Sequence, residues 1–273
     1  MPDALVLPAV SSVLLFLVMA AVWAIAVSIR NAGVVDVAWS ANFGLLSLLA
    51  VALGRGHLPR RLLIGGMTLL WSLRLAAYLH RRVMGHHPVE DGRYVQLRQD
   101  WAPHADRRFL GFFELQGALN LVLAAPLFLA AANPAPSLHP LEWAGLALWA
   151  VALTGESAAD RQLDAFRRDP ANRGKTCRAG LWRYSRHPNY FFEWLVWVAY
   201  FVFAVASPWG WTTVFCPALM LYFLLRVTGI PATEAQALKS RGDDYREYQR
   251  TTSAFFPWLP RPGPRGARVD PGS

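Results

Sequence analysis

Charge is what this chain lacks most. Only 16% of its 273 residues are Asp, Glu, Lys or Arg, where a soluble domain of this size carries roughly a quarter. Acids are scarcest, with 18 Asp and Glu against 27 Lys and Arg. Cysteine is nearly absent. Cys177 and Cys216 fall in different kinds of segment, so neither a disulfide framework nor a metal site is implied. No HExxH, Walker or GxGxxG pattern occurs. No internal repeat and no second, soluble domain stands out.

What is abundant is apolar: 54% of the residues are hydrophobic, with 12 Trp and 15 Phe. Long apolar runs predict an all-α integral membrane protein. Seven spans are expected, at about 5–29, 37–53, 62–83, 112–132, 140–159, 190–206 and 211–230. The first is read as a span rather than a secretory signal, because it is long and Asp3 is the only early charge. The loops 80–111 and 160–188 and the tail from Lys239 are rich in Arg and Lys, whereas 133–139 and 207–210 have none. This alternation predicts an outside N-terminus and a cytoplasmic C-terminus. The basic run RGHLPRR, 55–61, is the exception. The net charge of +9 is thus accounted for by loops on one membrane side rather than by nucleic acid. The Pro/Gly-rich stretch 261–273 is expected to be disordered beyond a single membrane domain, 1–260.

Polar residues inside apolar helices mark candidate chemistry, because ionisable side chains there are expensive. In GLWRYSRHPNYFFEWLVWVAY, 180–200, a polar cluster runs straight into an apolar helix. Asn189, Glu193 and Trp197 recur at i, i+4 and i+8 and share a face. His187 precedes Pro188, which suits a first helical position, so His187 reads either as a residue that leads the chain into the helix or as a base. Glu156, Asp160 and Arg167 form one stripe at the end of the fifth span, with Asp164 beside it. Arg74, Tyr78 and Arg81 form another near the end of the third. Those arginines can snorkel to the interface, and Tyr78 is either an interfacial belt residue or a buried donor able to polarise a carbonyl. Arg93 in EDGRY is a solvated residue or a fork for phosphate. Asp36, between VV and VAW, is a helix cap or a functional acid. The tail DDYREYQRTTSAFFPW predicts an amphipathic helix ending at the bilayer, able to fold back.

Taken together, RLAAYLHRRV, EDGRYVQLR, GLWRYSRHPNYFFEW, DDYREY and FFPW resemble the bacterial branch of the membrane steroid 5α-reductase family, over roughly 30–260. The resemblance implies a seven-helix bundle that reduces the carbon–carbon double bond of a lipophilic enone, such as a 3-keto-Δ4 steroid, with NADPH. It implies a multi-pass protein of the bacterial inner membrane, with the bilayer and a lipophilic small molecule as partners and no obligate protein partner. Carried over position by position, the family's cofactor asparagine and glutamate match Asn189 and Glu193. Its Asp and the Arg seven residues on match Asp160 and Arg167. Its basic residue before the glycine turn matches Lys175, and its Arg after the third span matches Arg93. Its substrate tyrosine matches Tyr78, and its acid on the second span has its nearest counterpart in Asp36. Tyr78 and Asp36 are then the catalytic pair at the carbonyl oxygen, and the other six hold the cofactor. The family's glycine before the glutamate is Phe192 here. RHPNY also resembles integral-membrane methyltransferases that use S-adenosylmethionine, with Glu234 where those carry paired acids. A non-enzymatic lipid-binding role is the third reading.

Overall fold

A computed structural model describes residues 5–261. The expected disordered tail, apart from Arg261, lies outside the described residues. All regular structure in them is helical: α1 (Val6–Ile29), α2 (Val34–Leu53), α3 (Leu58–Gly85), α4 (Gly92–Asp100), α5 (Ala105–Leu123), α6 (Ala125–Ala132), α7 (Pro140–Arg168), α8 (Pro188–Ala204), α9 (Phe215–Tyr222) and α10 (Ile230–Thr251). Four helices are long and apolar enough to cross a membrane: Val6–Ile29, Val34–Leu53, Leu58–Gly85 and the continuous run Gly210–Thr251. The pair α5 and α6, bent by 41°, makes a fifth if it is one span. The chain is therefore a multi-pass helical membrane protein. The expected fifth and sixth spans fall outside this set for visible reasons. The last third of α7 is charged, and α8 has only 17 residues.

The chain divides into two compact units, one running up to Leu146 with Tyr200–Cys216, the other comprising Ala147–Ala199 and the chain from Pro217. In the first unit α1 is apolar all round, leaving Val13, Phe16, Leu17 and Ile25 exposed, as a lipid-facing helix requires. Helices α2 and α3 pack closely through small residues. A Cβ on Gly44 would sit 3.0 Å from Ser72 Oγ, and one on Gly65 would meet Val51 at 2.4 Å. Ser72 Oγ donates to the Ser40 carbonyl at 2.6 Å. Such small-residue contacts let membrane helices approach. Asn42 of α2 donates to Asn120 of α5 at 2.9 Å. The 112–132 segment, expected to be one span, breaks at Ala124 because Pro126 cannot continue the hydrogen-bond ladder.

The unit's deepest charge is a clasp. Arg60, 1% exposed, pairs with the fully buried Glu142 and donates to the carbonyls of Asn133 (3.0 Å), Ala135 (2.8 Å) and Ser137 (2.6 Å). Arg61 donates to the carbonyls of Val51 and Gly54. These two arginines of the discordant 55–61 run are thus folded into the unit rather than displayed on a loop.

In the second unit the apolar part of the last span ends in a π-helical turn, Phe223–Val227. Gly229 follows because a Cβ there would lie 2.6 Å from the Leu224 carbonyl oxygen. Beyond it α10 is polar and kinks at Gly242, whose φ of 53° favours glycine. The predicted amphipathic tail helix is the second half of α10. Its Tyr245 and Tyr248 are buried at 3% and 2% exposure.

Candidate functional site

In the second unit, Pro188 opens α8, and the residues before it are fastened to α10 through one carboxylate. Glu234 Oε1 accepts from Arg186 Nε at 2.7 Å and from the Tyr245 hydroxyl at 3.3 Å, and lies 3.3 Å from His187 Nε2. Its Oε2 accepts from Gln249 at 2.8 Å. Burial would raise the Glu234 pKa, but the bonds from His187 and Arg186 outweigh it and bring it to about 2. Burial pulls His187 below the usual imidazole range, against the opposing pull of Glu234. Both groups are thus held in fixed protonation states near neutrality, and Glu234 has its acceptor capacity filled. That arrangement ties His187, at the entry to α8, to α10 through Glu234.

One turn into α8, Asn189 Nδ2 donates to Asp160 Oδ1 of α7 at 3.3 Å. Asp160 is 6% exposed, and Asn189 Oδ1 is buried without a hydrogen-bond partner among the described residues. Glu193, 8% exposed, accepts from Trp197 Nε1 at 3.1 Å, joining two residues of the predicted stripe. Phe192, in the position of the expected glycine, packs its ring over Gly155 of α7. A Cβ on Gly155 would meet that ring at 2.4 Å. The missing glycine is thus offset on the facing helix, which keeps α7 and α8 close beside Glu156, itself 3% exposed. Asp160, Asn189 and Glu193 therefore line one buried polar seam.

Arg167 and Lys175 are exposed at the end of α7 and in the loop after it. Next to Lys175, the Thr176 amide donates to Asp244 at 2.8 Å, and Arg178 pairs with Asp244 and Glu247 at 2.8 and 3.3 Å. Burial raises the Cys177 thiol pKa, while Arg167 and Arg241 act against it. Burial and repulsion from Arg167 lower Arg241, which lies over the Tyr245 ring at 4.9 Å. Arg167 and Arg241 are thus neighbours of like charge. Sequence reasoning missed Arg241, whose only signal is Gly242 beside it.

The first unit holds the remaining three residues. Asp36, in the first turn of α2, accepts from Arg93 at 2.9 Å and from the Tyr94 hydroxyl at 2.6 Å, and Arg82 stands 3.9 Å away. Arg93 also donates to the Tyr94 oxygen at 2.8 Å, and its Nε is buried without a partner among the described residues. Burial acts to lower the Arg93 pKa, but Asp36, Tyr94 and Asp91 together raise it above the usual range. Burial and the Asp36 charge hold the Tyr94 phenol well above its usual range. Asp36 and Arg93 are thus members of one cluster. Tyr94, fully buried, is a member that sequence reasoning overlooked although it follows Arg93 directly. Tyr78 is half-buried on α3, four residues before Arg82 and on the same face. Arg81, of the same expected stripe, donates to its own helix at the Ala77 carbonyl.

A family model described as a protein of unknown function, DUF1295, matches residues 22–252. An uncharacterized protein of Schizosaccharomyces pombe is 29% identical over 266 residues, covering 87% of this chain and 76% of that protein. No solved structure matches significantly.

Proposed function

The chain belongs to the DUF1295 family, and on that premise we propose that it is an NADPH-dependent reductase of the carbon–carbon double bond of a lipophilic enone. The observation that carries the reading is the buried seam of Asp160, Asn189 and Glu193, with Asn189 Oδ1 left without a partner among the described residues. A buried acceptor of this kind costs free energy unless a donor meets it. A ribose hydroxyl or a carboxamide N–H is such a donor, so the residues present fit the cofactor. Arg167 and Lys175 supply exposed positive charge for phosphates, and Arg241 adds to it. The reading gives Arg93 the same task through its Nε, which has no partner among the described residues. When bound, NADPH supplies hydride. Tyr78 donates a hydrogen bond to the enone oxygen as negative charge develops there, and Asp36 belongs to the same electrophilic side. The phenol suits this because it stays protonated at neutral pH.

The same proposal carries the finer topology: seven spans, the N-terminus outside and the C-terminus in the cytoplasm of a bacterial inner membrane. The methyltransferase reading draws on the motif Arg186–His187–Pro188 and on Glu234. Those residues satisfy one another, which leaves Glu234 little capacity for a ligand.

The test is enone-dependent oxidation of NADPH by the purified protein, with a 3-keto-Δ4 steroid as the first substrate. Tyr78→Phe removes one hydroxyl and keeps the ring. It is expected to lose ~10²–10³ in turnover, the usual cost of an oxyanion donor, with little change in nucleotide affinity. Turnover within about threefold of the parent, small on that scale, removes Tyr78 from the carbonyl.

A further inference from the structure

Beyond α10 the chain doubles back across the start of α8. The Arg186 amide donates to the Ser253 carbonyl at 2.8 Å, the Trp258 amide to the Tyr184 carbonyl at 2.9 Å, and the Arg261 amide to the Thr251 carbonyl at 2.8 Å. Ser185 Oγ donates to the Phe255 carbonyl at 2.8 Å. The loop closed in this way encloses a cleft of about 330 Å³, lined in part by Arg186, Arg250, Arg261, Thr252 and Trp258. Arg186 is consumed by Glu234. Arg250 and Arg261 are exposed, and neither meets an acidic side chain among the described residues. The cleft therefore presents two positive charges without a counter-ion among the described residues.

Its flank is apolar. Phe255 and Phe256 pack their rings on Phe191 and Trp194 in the first turns of α8, at centroid distances of 5.8–6.0 Å. Phe255 is buried, but Phe256, Trp258 and Leu259 are 54%, 75% and 74% exposed. Large apolar side chains left bare beside arginines, where an apolar helix begins, have the composition of a membrane interface. A free anion would use the arginines and leave those three side chains in water. A phospholipid uses both.

We propose that this cleft binds the headgroup phosphate of an anionic phospholipid, with Arg250 and Arg261 on the phosphate and Trp258 and Leu259 against the upper acyl chains. The assignment goes beyond the reductase reading and does not depend on it.

Native mass spectrometry of the full-length protein, stripped of lipid in neutral detergent, tests it. Phosphatidylglycerol is expected to bind in preference to phosphatidylcholine of the same acyl chains. Each arginine near a membrane surface contributes about a fivefold factor, so Arg250→Gln with Arg261→Gln is expected to lose about 25-fold in phosphatidylglycerol affinity. Both side chains are exposed, so the fold should stand. Arg250→Lys with Arg261→Lys should restore most of the binding. Trp258→Ala should weaken both lipids. Equal binding of the two lipids, or unchanged phosphatidylglycerol binding in the double Gln variant, overturns the proposal. So does displacement of the lipid by inorganic phosphate, which would make the cleft a free-phosphate site. Displacement by NADPH would give it to the cofactor.

Discussion

Asn189 and Glu193 stand one turn apart on α8, and each is held by a neighbour whose identity explains what a substitution does. Glu193 accepts from Trp197 at 3.1 Å. A glutamine keeps an oxygen for that bond and loses only the charge. Glu193→Gln is therefore expected to preserve the melting temperature in detergent and to weaken NADPH binding by roughly 1–3 kcal/mol, the cost of degrading one hydrogen bond to a buried group. Isothermal titration of both proteins measures this, and equal affinities would make Glu193 a structural residue. Stripes one turn apart were legible from spacing alone, because a helix brings i and i+4 together whatever the fold. Tyr94 was not. Nothing in EDGRY says that its ring is buried while the adjacent Arg93 shares Asp36 with it, since that depends on how α4 meets α2.

At the scale of elements, two contacts decide whether helices can pack. The Arg60 clasp joins the start of α3 to the start of α7 through Glu142 and three carbonyls. Removing one partner of a buried pair leaves the other charge uncompensated. Arg60→Met is therefore expected to destabilise the protein by about 3–5 kcal/mol, whereas Arg60→Met with Glu142→Leu recovers most of that loss. Thermal unfolding of the variants in detergent distinguishes them. A single variant as stable as the parent would mean that the pair is not the clasp described. The second contact is Phe192 over Gly155. Gly155→Ala drives a methyl group into the ring and is expected to cost about 1–3 kcal/mol, as overpacking of a fitted site does. Phe192→Leu in the same background should relieve it, and failure to do so would locate the strain elsewhere. A loss of glycine in one helix offset by a glycine in another is invisible to local reading, because the compensation lies across the helix interface. The break at Ala124 was more legible, since Pro126 marks it, although an unbroken apolar run over 112–132 argued for a single span.

At the scale of the molecule, composition alone identified a multi-pass helical membrane protein, and the apolar helices agree with it. The number of spans was harder to read. A charged end on α7 and the brevity of α8 blur what counts as a crossing, and burial inside a bundle lowers the demand for apolar residues on both faces. The candidate residues divide between the two units: Asp36, Tyr78 and Arg93 in the first, and Asp160, Arg167, Lys175, Asn189 and Glu193 in the second. Sequence pattern could nominate each of them but not sort Arg93 with Asp36, because hydrogen-bond partners far apart in the chain leave no periodic signal.

The central claim is that the polar seam of α7 and α8 holds a nicotinamide dinucleotide phosphate, and nucleotide binding tests it most directly. Purified protein in detergent is titrated with NADPH, NADH and S-adenosylmethionine while its thermal unfolding is followed. A ligand that binds only the folded state at 100 times its Kd stabilises it by about 2.7 kcal/mol, which is readily seen as a rise in melting temperature. The account predicts a saturable rise with NADPH, a weaker one with NADH, because the arginines and Lys175 favour the additional phosphate, and none with S-adenosylmethionine. A rise with S-adenosylmethionine and none with NADPH would contradict it and make the protein a methyltransferase.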